Sequence, residues 1–170
     1  MVAQNGLDAL TFLVERMGSD FRPYLTIVLP PIIDRLGDSK DLVREKAQVL
    51  ITRMMDSAVP PQQMFDRLAP AFSHKNGKIR EELMECLQRT LKDHGAQSLS
   101  VSRLVPSVAK LMSDPIATVR DTAFNTLTEI YRHHLIGMTR HFLLPAVMNR
   151  FDEIRASGDM MPNALTDGEY

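Results

Sequence analysis

Five histidines and one cysteine are the side chains best suited to do chemistry in this chain of 170 residues. His133 and His134 are neighbours, which on a helix point about 100° apart and do not converge on one metal ion as an i, i+4 pair would. His141 lies seven and eight residues further on, where a helix could return a ring to the same face, but Gly137 between them weakens that geometry. His74 and His94 read as turn residues. Cys86 falls beside Leu83 and Leu87 on an apolar helical face, the setting of a buried and inert thiol rather than a nucleophile. A single cysteine makes no intrachain disulfide and no cysteine-based zinc site, and it suits a reducing compartment. The eight glycines form no phosphate loop, and neither a zincin motif nor a Gly-x-Ser-x-Gly elbow is present. The expectation is therefore a protein without catalysis, metal or cofactor.

Charge is the chemistry that remains. Residues 73–80 carry Lys75, Lys78 and Arg80 with no acid, a net of +3. Residues 37–48 balance Lys40, Arg44 and Lys46 against Asp38, Asp41 and Glu45, and residues 114–121 set Arg120 against Asp114 and Asp121. Over the whole chain 20 Lys+Arg face 21 Asp+Glu, which excludes a strongly basic nucleic-acid binder judged on bulk charge. Residues 151–170 alone have a net of −4, so the near-neutral total hides a mildly basic body of +3. With Gly158, Pro162 and Gly168, residues 158–170 read as an acidic tail or the start of a linker. The longest apolar stretch, residues 24–33, contains Thr26 and Pro30-Pro31 and falls short of the roughly 18–20 apolar residues that a membrane span needs. The first residues lack a basic n-region and a cleavage site. These features predict a cytoplasmic protein that engages neither membrane nor nucleic acid.

Helices must hold those charges. Apolar residues recur at i, i+4, i+8 and i+11 in three windows: Val43, Ala47, Ile51, Met54; Ile79, Leu83, Leu87, Thr90; and Val119, Ala123, Leu127, Ile130. Only Thr90 breaks the stripe. Each window opens with an apolar residue followed by arginine, and the openings are spaced by 36 and 40 residues. Five residues before them sit Asp38, His74 and Asp114. Asp38 or Ser39, and Asp114 followed by Pro115, read as helix starts, with the proline in the first helical position. Residues 56–60 and 94–99 read as turns between units, with Gly95 as a helix stop and Ser100 or Ser102 as the next cap. Each unit is thus a first helix, a tight turn and a second helix. A pair of helices cannot cover its own apolar face, so the units must stack into an all-α solenoid. The methionines near the stripes, such as Met54, Met55, Met84 and Met112, read as adaptable core filling.

The period, with proline in the first helix, aspartate at the turn and Val-Arg in the second, resembles the HEAT repeat over residues 24–132. The strings from Thr26 to Glu45, from Ser73 to Glu81 and from Asp114 to Asp121, with Leu127 to His133, are similar to the N-terminal TOG-type module of the CLASP (Orbit/MAST) family of microtubule-associated proteins. Phe151 to Gly158 resembles that module's last helix. The resemblance implies a paddle of HEAT repeats, an α-α superhelix over residues 1–157, whose turns line one edge and face tubulin. Carried onto this chain, that edge holds Lys40, Arg44, Lys75, Asn76, Lys78, Arg80, Thr118 and Arg120, with Lys75 and Lys78 foremost. It further implies a monomeric module within a longer chain, acting on microtubule dynamics at spindle microtubules and plus ends. The alternative is a scaffold docking a kinetochore, cortical or other regulatory protein instead of tubulin. Two departures stand out. There is no tryptophan for the first turn, and the chain opens on what reads as a second helix, so the stripe of Leu7, Leu10, Leu13 and Met17 is expected to be partly uncovered.

Overall fold

Proline sorts the helices into two kinds. A computed structural model describes residues 2–135. His141, the expected helix from Phe151, the domain limit at 157 and the tail at 158–170 lie outside the described residues. The long helices, α1 (Val2–Met17), α3 (Asp41–Ser57), α5 (Gly77–His94) and α7 (Ala117–Leu135), contain no proline. Those between them do. The first runs as a 3-10 segment, Gly18–Tyr24, into α2 (Leu25–Arg35) and holds Pro23, Pro30 and Pro31. The second runs from α4 (Pro61–Leu68) into a 3-10 segment, Ala69–Ser73, that holds Pro70. The third joins a 3-10 turn, Val101–Arg103, to α6 (Val105–Leu111), with Pro106 in its first turn. Proline lacks the N–H that an α-helix needs at every interior position, so these first helices break into shorter α and 3-10 pieces.

The second helices stack side by side. α1 packs on α3, α3 on α5 and α5 on α7, while α2 packs on α3 and α6 on α7. All twelve residues of the three stripes are buried. Thr90 is tolerated among them because its hydroxyl donates to the Cys86 carbonyl at 2.8 Å, leaving no buried donor unpaired. Four polar contacts across the stack share one register. Lys46 meets Asp8, Arg44 meets Glu82, Gln88 meets Thr126 and the Ser100 amide meets Gln62, each pair 38 residues apart. That value lies between the two spacings of the sequence repeat, which is what parallel stacking of like helices requires. The chain is an all-α HEAT-repeat solenoid.

Two boundary expectations need correction. α3 begins at Asp41 with Lys40 as its N-cap, and α7 begins at Ala117, so neither aspartate caps a helix and Pro115 is not a first helical residue. The aspartates serve the preceding turns instead. Ser100 does sit at the N-cap of a 3-10 turn, but its side chain makes no capping bond, and its amide donates to Gln62. Gly95, at φ 74°, does stop α5, and its N–H closes on Leu91 at 3.0 Å. On α1, Leu7 and Val14 are buried and Leu10 and Met17 half-buried, whereas Leu13 is 45 % and Phe12 57 % exposed. The stripe is thus partly uncovered. None of the helices among the described residues is long and apolar enough to cross a membrane.

Candidate functional site

The turns inside the three units are built alike. Each begins with a residue whose side chain accepts the amide two positions on: Asp38 from Lys40 at 3.0 Å, His74 from Asn76 at 3.1 Å and Asp114 from Ile116 at 3.0 Å. Such local side-chain bonds fix a tight turn just before a helix. The carbonyl of the same residue accepts from the arginine six positions on. Arg44 reaches Asp38, Arg80 reaches His74 and Arg120 reaches Asp114, at 2.8, 2.5 and 2.9 Å. The Val-Arg signature is therefore a clamp, in which valine or isoleucine enters the core and arginine holds the turn that precedes it.

Two of the clamps extend to the next unit. Arg44 Nε donates to Glu82 at 2.8 Å, and Arg80 Nη2 lies 2.9 and 2.7 Å from the two Asp114 oxygens. The second pair is buried, its side chains only 10 % and 5 % exposed. Burial opposes the charged Asp114, but the Arg80 hydrogen bond, the Ile116 amide and the charges of Arg80 and Arg120 outweigh it and hold the carboxyl below its ordinary value. At Asp38 the Lys40 amide is the main influence and acts in the same direction, aided by Arg35. Burial likewise works against the Arg44 charge, and the bonds to Glu82 and Asp41 override it.

These links bring the three turns onto one edge. Asn76 Nδ2 lies 3.5 Å from the Gly37 carbonyl, and a Cβ on Gly37 would collide with that amide. Gly77 leaves similar room for Ile116. Thr118 donates to Glu81 at 3.1 Å, and Glu81 in turn accepts from Lys78 at 2.8 Å. Lys40, Lys75, Lys78 and Thr118 thus belong to adjacent turns, as the sequence repeat predicts.

Their availability differs. Lys40 and Lys75 are exposed and make no ion pair with any described residue. Lys78 is half-buried and shared between Glu81 and Glu82 at 2.8 and 3.5 Å, which raises its pKa against the opposing effect of burial. Asn76 is exposed, yet its Oδ1 accepts the Lys78 amide as the N-cap of α5. Arg44, Arg80 and Arg120 are engaged within the repeat. Sequence reasoning missed Glu81 and Glu82, whose one signal is the 38-residue offset that links Arg44 to Glu82. It also missed the exposed apolar side chains beside the cations, Leu42 at 49 % and Ile116 at 44 %.

Elsewhere, Cys86 is buried, and desolvation pushes its thiol up to about 12. His133 pairs with Glu129 at 3.2 Å. No group of three or more His, Cys, Asp and Glu among the described residues could hold a metal ion.

The family model described as CLASP N terminal matches residues 1–134. The chain is 42% identical over 177 residues to CLIP-associating protein of Drosophila melanogaster and 42% identical over 173 residues to CLIP-associating protein 1-A of Xenopus laevis. Each alignment covers 96% of this chain but only 12% of the relative. Among solved structures, the MAST/Orbit N-terminal domain matches with a TM-score of 0.77 at 42% identity, covering 91% of this chain and 73% of that one. A chain from crescerin, described as using a TOG domain array to regulate microtubules in the primary cilium, matches with a TM-score of 0.79 at 22% identity, covering 95% and 69%. At that identity the second likeness concerns the fold alone.

Proposed function

The chain belongs to the CLASP N-terminal family, and from that premise we propose that it is a tubulin-binding module that regulates microtubule dynamics through the turns of its HEAT repeats. The observation that carries the reading is the pairing of two free cations, Lys40 and Lys75, on abutting turns whose backbones are clamped by Arg44 and Arg80. Tubulin is acidic at its surface. A fixed positive edge steers encounter and sets orientation more than it adds affinity. Leu42 and Ile116 supply apolar contact beside the charges, Asn76 and Thr118 line the same edge, and Lys78 contributes through its shared charge. Arg44, Arg80 and Arg120 hold the edge in shape. The module works in the cytoplasm as a monomer within a longer chain, where tethering to further modules adds avidity without new contacts. It binds and does not catalyse.

The test is gel filtration with tubulin and co-sedimentation with microtubules, comparing the chain with Lys40→Glu/Lys75→Glu and with Lys78→Ala. Reversing both free charges is expected to weaken binding about tenfold or more at low salt, with a smaller effect from Lys78→Ala. Raising salt should weaken the unaltered chain, since exposed charges are screened beyond about 8 Å at physiological strength. Binding unchanged by the double reversal would remove the edge from the account. Binding to a kinetochore or cortical protein, with none to tubulin, would favour the scaffold reading instead.

A further inference from the structure

Glu82, on α5, is a buried carboxylate, its residue only 6 % exposed, and side chains from two units converge on it. Arg44 Nε donates to its Oε1 at 2.8 Å, Lys78 Nζ lies 3.5 Å from the same oxygen, and the Gln48 amide donates to Oε2. Burying a charge is costly even when it is paired, and an apolar side chain of similar volume often serves stability as well. What the carboxylate adds is position. Arg44 spends three bonds on one rigid planar fork: Nε on Glu82, Nη1 on the Asp38 carbonyl at 2.8 Å, and Nη2 on Asp41. Asp41 sits on the arginine's own helix with its side chain 92 % exposed, so it moves with the group it holds. Glu82 belongs to the next unit and is fixed within it. The Asp38 carboxylate in turn accepts the Lys40 amide at 3.0 Å, which completes a path from Glu82 through Arg44 and Asp38 to Lys40.

We propose that Glu82 is a positioning residue for the docking edge: it fixes the Arg44 guanidinium, and through it the turn that presents Lys40, relative to the turn that presents Lys75. The same carboxylate draws Lys78 inward, so the edge shows Lys40 and Lys75 as its outward cations. The consequence for binding rests on the tubulin-docking reading of this edge, whereas the hold on the first turn does not. Charge alone predicts the opposite sign. Removing an acid makes the edge more positive and would strengthen docking on an acidic surface.

The test uses two pairs matched in charge. Glu82→Met and Glu82→Gln lose the same charge, but the glutamine keeps an acceptor for Arg44 Nε. Glu82→Asp keeps the charge of the unaltered chain and withdraws it by one methylene from Arg44. Glu82→Met is expected to bind tubulin about threefold more weakly than Glu82→Gln, and Glu82→Asp more weakly than the unaltered chain by a similar factor, the effect of one rim charge misplaced. Equal affinities within both pairs would overturn the positioning role in docking. A second readout needs no partner. In native-state amide exchange, the Lys40 amide is expected to exchange about fivefold faster in Glu82→Met and Glu82→Asp, the effect of one hydrogen bond, while the Asn76 amide of the middle turn keeps its rate. Equal acceleration at both turns would mean a general loss of stability and would refute the proposal, as would a Lys40 amide indifferent to Glu82→Asp, even where Glu82→Met folds poorly. If tubulin binds none of these proteins, the docking reading falls and the exchange of Lys40 against Asn76 still decides what Glu82 holds.

Discussion

Replacing Arg80 with methionine isolates the contact on which the turn edge most depends. Arg80→Met keeps the aliphatic stem but removes the guanidinium that joins the His74 carbonyl to the Asp114 carboxylate. The Asp114 carboxylate, on a residue only 7 % exposed, is left without its ion-pair partner, keeping the Ile116 amide at 3.0 Å as a donor. Breaking one side of a buried ion pair costs about 3–5 kcal/mol, because the surviving charge stays desolvated. The retained amide and the nearby Arg120 charge place the loss toward the lower end, about 3 kcal/mol. Arg80 Nε is buried without a hydrogen bond, so the native pair already carries a cost and is worth less than its distances suggest. Urea unfolding measures the loss. Adding Asp114→Asn to Arg80→Met should recover a good part of it, since a neutral amide is cheaper to bury than an unpaired carboxylate. A loss below about 1 kcal/mol, or no recovery in the double variant, would refute the clamp as an energetic element.

Acid offers a second view of the same pair. The Asp114 carboxyl is held below its ordinary value, so its contribution is present above the unfolded value near 3.9 and is lost as pH falls through the folded one. The stability gap between the unaltered chain and Arg80→Met should therefore narrow as pH falls below about 5, and a constant gap in pH-dependent melts would contradict this. Gly37→Ala should destabilise by about 1–3 kcal/mol in urea, since its Cβ would meet Asn76 and lie 2.8 Å from Ile79 Cγ1 in the core. Gly77→Ala should cost less, because the exposed end of Ile116 can move aside. Cys86 should resist a thiol reagent until the chain unfolds, with modification tracking the unfolding transition; fast labelling of the native chain would contradict its burial.

The three stripes were legible because a helix that buries one face writes its period directly into the sequence, and one polar member, Thr90, was absorbed by a bond to its own helix. The aspartates were visible as turn residues, but their helices begin three positions later. An aspartate accepting the i+2 amide is indistinguishable in sequence from an N-cap accepting nearly the same donor. The lysines show where reading one turn at a time stops. Lys75 and Lys78 look equivalent, yet Lys78 is one turn of helix away from Glu81 and Glu82 and shares its charge with both, while Lys75 stands free. The arginines, carried onto the edge by resemblance, show their part in holding the turns only once the carbonyls six residues earlier are seen to face them. Cross-unit partners such as Glu82 for Arg44 follow from a 38-residue register, which the sequence spacings bracket without fixing.

The most direct test of the turn edge as the docking surface is amide hydrogen exchange with and without tubulin. The account predicts slower exchange at residues 37–41, 74–78 and 114–118 together, with no change around the exposed apolar residues Tyr24, at the end of the 3-10 segment, and Ile27, on α2. Protection centred on Tyr24 and Ile27, with the three turns unaffected, would contradict it.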